Sequence, residues 1–135
     1  MKFSGGCYCG KVRYEAEGDP IIKAQCHCRE CQYIAGGSAN LLIAMPRAGF
    51  HYSGEQPRQF SRDDLEAPVL REFCGNCGTH LTSNPPTMPD MVIIKVGTMD
   101  EPAAFGGPDM AIFCCDKQTF HSVPEGVTQF DKFPG

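Results

Sequence analysis

The spacing of the cysteines constrains this chain more than any other feature of its sequence. Seven of its nine cysteines fall into short-spaced sets, namely Cys26, Cys28 and Cys31 (the three-cysteine group) and the pairs Cys7/Cys9 and Cys74/Cys77 (together the four-cysteine group). C-x-C and C-x2-C spacings suit a shared metal ion better than disulfide bridges, and the total count is odd. Zinc is the ion that such thiolate sets hold most often. The sequence therefore predicts two zinc sites.

The four-cysteine group is predicted to be a closed, structural zinc site. Residues i and i+2 of a strand face the same side, so Cys7 and Cys9 can bind one ion together. In the second pair, the glycines of C-G-x-C-G permit the tight turn that directs Cys74 and Cys77 to the same ion. Four thiolates complete a tetrahedron and leave no position for a substrate. The alternative is that each pair is a separate redox pair.

The three-cysteine group supplies three ligands, the number typical of a catalytic zinc site with an open position. A substrate thiol could take that position. The alternative is a site closed by a histidine, by Cys114 or by Cys115. Successive residues of a strand point to opposite faces, so at most one of Cys114 and Cys115 would reach the ion. His27, which lies between two ligands, is expected to make a hydrogen bond instead of binding the ion.

Size and charge limit the classes of protein to consider. The 135 residues are expected to form a single domain, 1–135, and the net charge of −4 argues against nucleic acid or an anionic membrane as partner. No apolar run approaches the ~20 residues of a membrane span. The first residues lack the apolar run of a signal peptide. With so many free-thiol motifs, these observations predict a cytoplasmic protein that works in a reducing compartment.

Alternation and turn residues predict an all-β fold with short helices, arranged as a sandwich or barrel-like structure. The clearest strand has Val12, Tyr14 and Ala16 alternating with charged residues. Further strands are predicted at 21–25, 40–45, 50–52, 59–60, 69–73, 79–83, 91–96 and 110–115. A short helix is predicted over 28–35, ended by two glycines. The tail 123–135 is expected to be irregular but packed, and His51, His80 and His121 to be surface or hydrogen-bonded residues.

The order of these motifs resembles the glutathione-dependent formaldehyde-activating enzyme family and its CENP-V-like relatives. The matching stretches are G-G-C-x-C-G-x-V-R-Y (5–14), C-H-C-x2-C (26–31), F-C-x2-C-G-T (73–79) and V-G-T-M-D-E-P (96–102). Two positions differ from the common pattern of the family, since Gln32 replaces a basic residue and Phe120 stands where relatives often have Trp. Cys114 and Cys115 are not part of the family motif.

The resemblance implies a β-tent fold, two zinc ions and carbon–sulfur lyase chemistry. It assigns the four-cysteine group to structural zinc and the three-cysteine group to catalytic zinc, with the fourth position open to the glutathione thiol. The implied reaction adds the thiol to formaldehyde to give S-hydroxymethylglutathione. The implied partners are thus a small thiol and an aldehyde, whose identities the sequence does not specify, and it does not specify the oligomeric state.

Two further functions are compatible with the sequence. The first is a zinc-stabilised β-tent binding module without catalysis, for which we expect a second zinc site closed by Cys115 or a histidine. The second is a reductase that uses Cys114 or Cys115 as its nucleophile, for which one of these thiols would need a low pKa.

Overall fold

The computed structural model describes residues 1–134, and within them the chain is mostly β-structure. The strands are β1 (Lys2–Gly6), β2 (Val12–Glu17), β3 (Ile22–Cys26), β4 (Asn40–Pro46), β5 (Phe50–Gly54), β6 (Arg58–Phe60), β7 (Leu70–Phe73), β8 (His80–Asn84), β9 (Met91–Lys95), β10 (Met110–Ile112) and β11 (Thr128–Gln129). One α-helix, α1, spans Arg29–Ile34, and short 3-10 turns span Arg47–Gly49, Val96–Thr98, Pro102–Phe105 and Cys114–Asp116. The predicted all-β class with little helix is confirmed.

The strands form two open sheets. The small sheet has the order β1-β2-β5 and is antiparallel. The large sheet has the order β11-β10-β3-β4-β9-β8-β7-β6, in which β10 runs parallel to both β3 and β11. Neither sheet closes on itself within residues 1–134. Because both sheets are open, the fold agrees with the β-tent architecture and is not a closed barrel.

The large sheet is covered on both faces. On one face it packs against the small sheet, and the predicted alternation of β2 buries Val12, Tyr14 and Ala16 in this core. On the other face a second cluster contains Leu42, while its neighbour Ile43 belongs to the first cluster. A strand buried on both faces has a continuous apolar sequence instead of an alternating one, which explains the run in β4. No helix in residues 1–134 is long and apolar enough to cross a membrane.

Gly5 allows β1 to approach its neighbours closely. It lies opposite Tyr14, and a Cβ at this position would overlap the Tyr14 hydroxyl and the carbonyl oxygen of Thr98. We expect Gly5→Ala to lower the free energy of unfolding by about 1–3 kcal/mol through overpacking. The measurement is urea denaturation, with Gly97→Ala as control because a Cβ there meets nothing within 4 Å. Equal stabilities of the two variants would contradict this account.

Two local predictions are wrong. The strand predicted over 110–115 ends at Ile112, because Phe113 adopts a left-handed conformation with φ 53° and the chain continues into a 3-10 turn. Cys7 and Cys9 lie in the turn between β1 and β2, and not within a strand as expected. The tail does pack as predicted, since Phe130 contacts the second core cluster. Gly135, the last residue of the predicted tail, lies outside the described residues.

The single histidines follow the prediction with one exception. His51 is exposed and its Nε2 lies 2.9 Å from a carboxylate oxygen of Glu15. His121 is hydrogen-bonded, as described below. His80 is half-buried, and its Nδ1 is buried without a hydrogen-bond partner among residues 1–134, so the expectation of a satisfied ring is wrong for that atom.

Candidate metal centres and the adjoining cavity

The four cysteines predicted to share one ion lie together. Cys7 and Cys9, from the turn after β1, meet Cys74 and Cys77, from the turn between β7 and β8, and their four sulfurs lie within 4.8 Å of one another. The Sγ atoms of Cys7 and Cys9 are 3.6 Å apart, and those of Cys9 and Cys74 are 3.7 Å apart. A tetrahedral zinc ion with Zn–S bonds of about 2.3 Å places its sulfurs ~3.8 Å apart. The donor set therefore fits zinc, and the distances are far from a disulfide bond of about 2.05 Å.

Backbone N–H groups hold these sulfurs in place. The amides of Asn76 and Cys77 both donate to Cys74 Sγ at 3.4 Å, and the amide of Val12 donates to Cys7 Sγ at 3.2 Å. The Thr79 hydroxyl lies 3.2 Å from Cys77 Sγ, and its hydrogen bond lowers the pKa of Cys77 to about 5. These donors favour thiolates, the form that binds a metal ion.

The three-cysteine group forms where β3 ends and α1 begins. Cys26 is the last residue of β3, Cys28 is the N-cap of α1, and Cys31 lies in the first turn of the helix. The Cys28 sulfur accepts from the backbone N–H of Cys31 at 3.3 Å and so replaces the usual capping oxygen. The side chain of Asn40 donates to Cys31 Sγ at 3.7 Å. The three sulfurs lie within 4.8 Å of one another, as the spacing predicts.

Three neighbouring thiolates would repel one another unless a cation lies between them. Hydrogen bonds from Cys26 and Cys28 lower the pKa of Cys31 to about 3, while Cys28 and Cys31 raise the pKa of Cys26. One thiolate therefore forms readily, but three neighbouring thiolates need a positive ion among them. A divalent metal ion bound by all three sulfurs meets this need, so the residues fit zinc.

Within residues 1–134, no fourth Cys, His, Asp or Glu ligand atom joins the three sulfurs. The proposed closing ligands lie elsewhere. Cys114 lies in the 3-10 turn, where its amide donates to the carbonyl of Phe130, and Cys115 is exposed, with its sulfur 3.9 Å from Asp116 Oδ1. The geometry thus groups three sulfurs and leaves out every residue suggested as a fourth ligand.

His27 makes side-chain hydrogen bonds and is not grouped with the three sulfurs, as predicted. It is fully buried, and its Nδ1 lies 3.3 Å from His121 Nδ1, while its Nε2 lies 3.2 Å from Gln25 Nε2. His121 Nε2 donates to the carbonyl of Gly37 at 2.7 Å, and His121 Nδ1 accepts from the backbone N–H of Gln118 at 3.1 Å. The shared hydrogen then belongs to His27 Nδ1, and burial lowers the pKa of His27, which favours the neutral ring.

Gln32 fixes the helix that carries Cys31. Its side-chain amide donates to the carbonyls of His27 at 2.9 Å and of Asp116 at 3.0 Å, and it is buried. These two hydrogen bonds hold α1 against the backbone of His27, between two of the cysteines, and against the 3-10 turn that contains Cys114. Its Oε1 also accepts from Arg29 and, at 3.3 Å, from Gln118 Nε2, so a neutral amide both donates and accepts here, whereas a basic side chain has no acceptor.

A cavity of about 510 Å³ opens beside the three-cysteine group. All three cysteines line it, together with apolar side chains such as Leu42, Ile93 and Phe113. Its size lies in the range of small-molecule sites. A shallower cavity of about 410 Å³ near Gln25 and Ser122 contains no thiol. The 510 Å³ cavity is therefore the candidate substrate site.

The same cavity contains a basic side chain that the sequence analysis missed. Lys95, at the end of β9, is 7% exposed, and its Nζ donates to Ser83 Oγ at 2.7 Å. Burial lowers the pKa of Lys95 to about 8, against the opposing effect of the Cys31 thiolate, so the side chain is mostly charged at neutral pH. The signal that could have found it is a lysine inside the apolar run M-V-I-I-K-V (91–96), where an ionisable group is costly unless it has a role.

These observations define an all-β protein with two cysteine groups that could each hold a metal ion, one of which borders a substrate-sized cavity. The family model described as glutathione-dependent formaldehyde-activating enzyme matches residues 2–116, and the chain belongs to that family. No match is found among curated proteins.

A solved structure shares the fold. A crystal structure of a Rhodobacter sphaeroides protein, determined by structural genomics, superposes with a TM-score of 0.58 at 19% sequence identity and covers 74% of this chain and 88% of its own. At this identity the likeness concerns the fold alone. The all-β fold therefore has independent support, while the chemistry depends on the family and on the site.

Proposed function

We propose that this protein is a zinc-dependent carbon–sulfur lyase that forms and cleaves the adduct of a small thiol, glutathione or a similar compound, with an aldehyde such as formaldehyde. In this proposal the chain binds two zinc ions. The four-cysteine group holds the structural ion, and Cys26, Cys28 and Cys31 hold the catalytic one. The observation that carries the proposal is the three-sulfur group with no fourth protein ligand, placed in the wall of a 510 Å³ cavity.

The reaction is an addition. The thiol sulfur bonds to the carbonyl carbon, the carbonyl π pair moves to oxygen, and oxygen receives the proton that the thiol loses; the lyase direction reverses these steps. When bound, zinc would supply a position that lowers the pKa of the incoming thiol, so that a nucleophile exists at neutral pH.

The chain's own residues contribute orientation and charge. Asn40 fixes the direction of the Cys31 sulfur by its hydrogen bond. The positive charge of Lys95, which stabilises the Cys31 thiolate, also favours a second anionic sulfur nearby. Apolar side chains around the cysteines exclude water and so strengthen these electrostatic interactions.

We also propose that the protein works in the cytoplasm. None of the nine cysteines forms a disulfide, a state that a reducing compartment maintains. Cys115 is exposed on the surface and would be oxidised more readily elsewhere.

The experiment follows adduct formation from ¹³C-formaldehyde and glutathione by exchange NMR, with the zinc-loaded protein. We expect a catalysed exchange rate that saturates with glutathione, together with calorimetric binding of glutathione. The matched control is S-methylglutathione, which lacks a free thiol and is expected to bind far more weakly. Equal binding of the two compounds, or exchange no faster than without protein, would contradict the proposal and favour a non-catalytic binding module.

A further inference from the structure

Three polar residues form a row on the cavity face of the large sheet. In the strand register, Arg71 of β7 lies opposite Ser83 of β8, and Ser83 lies opposite Ile93 of β9. Directly opposite residues share a face, and so do residues i and i+2 of one strand, which places Lys95 on the same face as Ile93. All four residues line the cavity. The row is therefore a consequence of strand pairing and not of a single loop.

The hydrogen bonds of this row leave donors free for a ligand. Ser83 Oγ accepts from Lys95 Nζ at 2.7 Å and from Arg71 at 3.2 Å. With both lone pairs used, the Ser83 hydroxyl hydrogen is available to donate. Lys95 uses one of its three N–H bonds in this contact. The row thus offers N–H and O–H donors to an acceptor in the cavity.

The charge of the row favours a ligand group that carries a single negative charge. Arg71 is already paired with Glu30, whose Oε1 lies 3.1 Å away. Lys95 has no carboxylate within 4.0 Å in residues 1–134, although it is almost completely buried. The negative charges that act on Lys95 are the thiolates of the three-cysteine group, so no acidic side chain competes with a ligand carboxylate for it. A single positive charge that no carboxylate pairs matches a ligand carboxylate better than a dianionic phosphate.

The distance between the three-cysteine group and Lys95 suits a thiol that is part of a short peptide. β9 lies two strands from β3 in the sheet, so about 10 Å separates their backbones. An extended Cys-Gly segment spans ~7 Å, and the side chains of Lys95 and the cysteines cover part of the remainder. A thiol held at the three-cysteine group could therefore extend a carboxylate to the row.

We infer that Lys95 and Ser83, supported by Arg71, form a subsite for the terminal carboxylate of the thiol substrate, which in glutathione is the glycyl carboxylate. The α-carboxylate of the γ-glutamyl end fits less well, because the ammonium group on the same carbon would be repelled by Lys95 and Arg71. This inference rests on the proposed function. It makes Lys95 a specificity-determining residue that distinguishes thiols by a charge remote from sulfur.

The test compares glutathione with its glycyl monoethyl ester, which keeps the thiol and the γ-glutamyl end but lacks the charge. Binding to the zinc-loaded protein is measured by calorimetry. We expect the wild type to bind the ester about 10- to 100-fold more weakly than glutathione, the effect of losing a charge-assisted hydrogen bond. In Lys95→Met we expect this preference to disappear, because glutathione loses both the contact to its carboxylate and the effect of the charge on its sulfur, whereas the ester loses only the latter. The matched control is Lys2→Met, since Lys2 is exposed on β1.

Each outcome has a distinct meaning. A preference that persists in Lys95→Met, or that is absent from the wild type, overturns the subsite. Equal weakening of both compounds in Lys95→Met, together with a lower zinc content, would show that Lys95 only balances the charge of the cysteines, and also overturns it. If neither compound binds the wild type, the proposed function itself fails. A loss of affinity in Lys95→Met that is larger for glutathione than for the ester, with unchanged zinc content, supports the inference.

Discussion

Cys74→Ser is expected to lose one zinc ion per chain and to unfold at temperatures where the wild type is folded. The four-cysteine group joins the turn after β1 in the small sheet to the turn before β8 in the large sheet, so an ion held there would connect the two sheets. Structural zinc sites contribute on the order of 10 kcal/mol to folding. That is comparable with the whole stability of a typical domain, ~5–15 kcal/mol. Cys74 is buried in the first core cluster, so the substitution also places a hydroxyl in that core.

The measurement combines zinc content per chain with thermal unfolding followed by circular dichroism. The control is Cys114→Ser, because Cys114 lies outside both cysteine groups and is expected to leave both quantities unchanged. If Cys74→Ser cannot be purified, stepwise removal of zinc from the wild type by a chelator gives the same information. We then expect the β-sheet signal to be lost when the more tightly held ion is removed. A variant that keeps two zinc ions and its melting temperature would show that the group is not a structural site.

The parts of the site that depend on local geometry could be predicted from sequence. The sulfurs of Cys74 and Cys77 lie close together because a C-x2-C turn allows little else, and the same holds for the step from Cys28 to Cys31 across the first turn of a helix. The alternation in β2 likewise predicted which side chains enter the core. In each case the interacting residues are close in sequence, so short-range sterics determine their positions.

The parts that depend on long-range pairing could not be predicted. Nothing near Lys95 in the sequence indicates that Ser83 and Arg71 will lie beside it, because that arrangement follows from the register of three strands. The end of β10 is similar. Its sequence continues with residues typical of strands, but the amides of Phe113 and Cys114 instead meet carbonyls of the tail at Lys132 and Phe130. The tail therefore decides where the strand ends, and this removes Cys115 from the list of metal ligands.

Cys31→Ser is expected to reduce turnover at least about 100-fold while leaving the fold and one zinc ion in place. A serine hydroxyl remains protonated at neutral pH, so it replaces a thiolate ligand with a poor one. Substitution of residues that merely support metal ligands already costs about 10- to 100-fold, and the ligand itself should matter at least as much. The three-cysteine group belongs to the second core cluster, on the other face of the large sheet from the four-cysteine group. The structural ion should therefore be unaffected.

The decisive comparison measures kcat/KM for adduct formation, zinc content and circular dichroism in Cys31→Ser and in Cys115→Ser. Cys115 is exposed and contacts none of the proposed ligands, so its substitution is expected to keep full turnover and two zinc ions. The same pair separates the alternatives when reductase turnover is measured as well, because a reductase that used Cys115 would lose that turnover in Cys115→Ser and keep it in Cys31→Ser. Full turnover by Cys31→Ser with one zinc ion per chain would exclude catalysis at the three-cysteine group and would mean that the reaction takes place elsewhere in the protein.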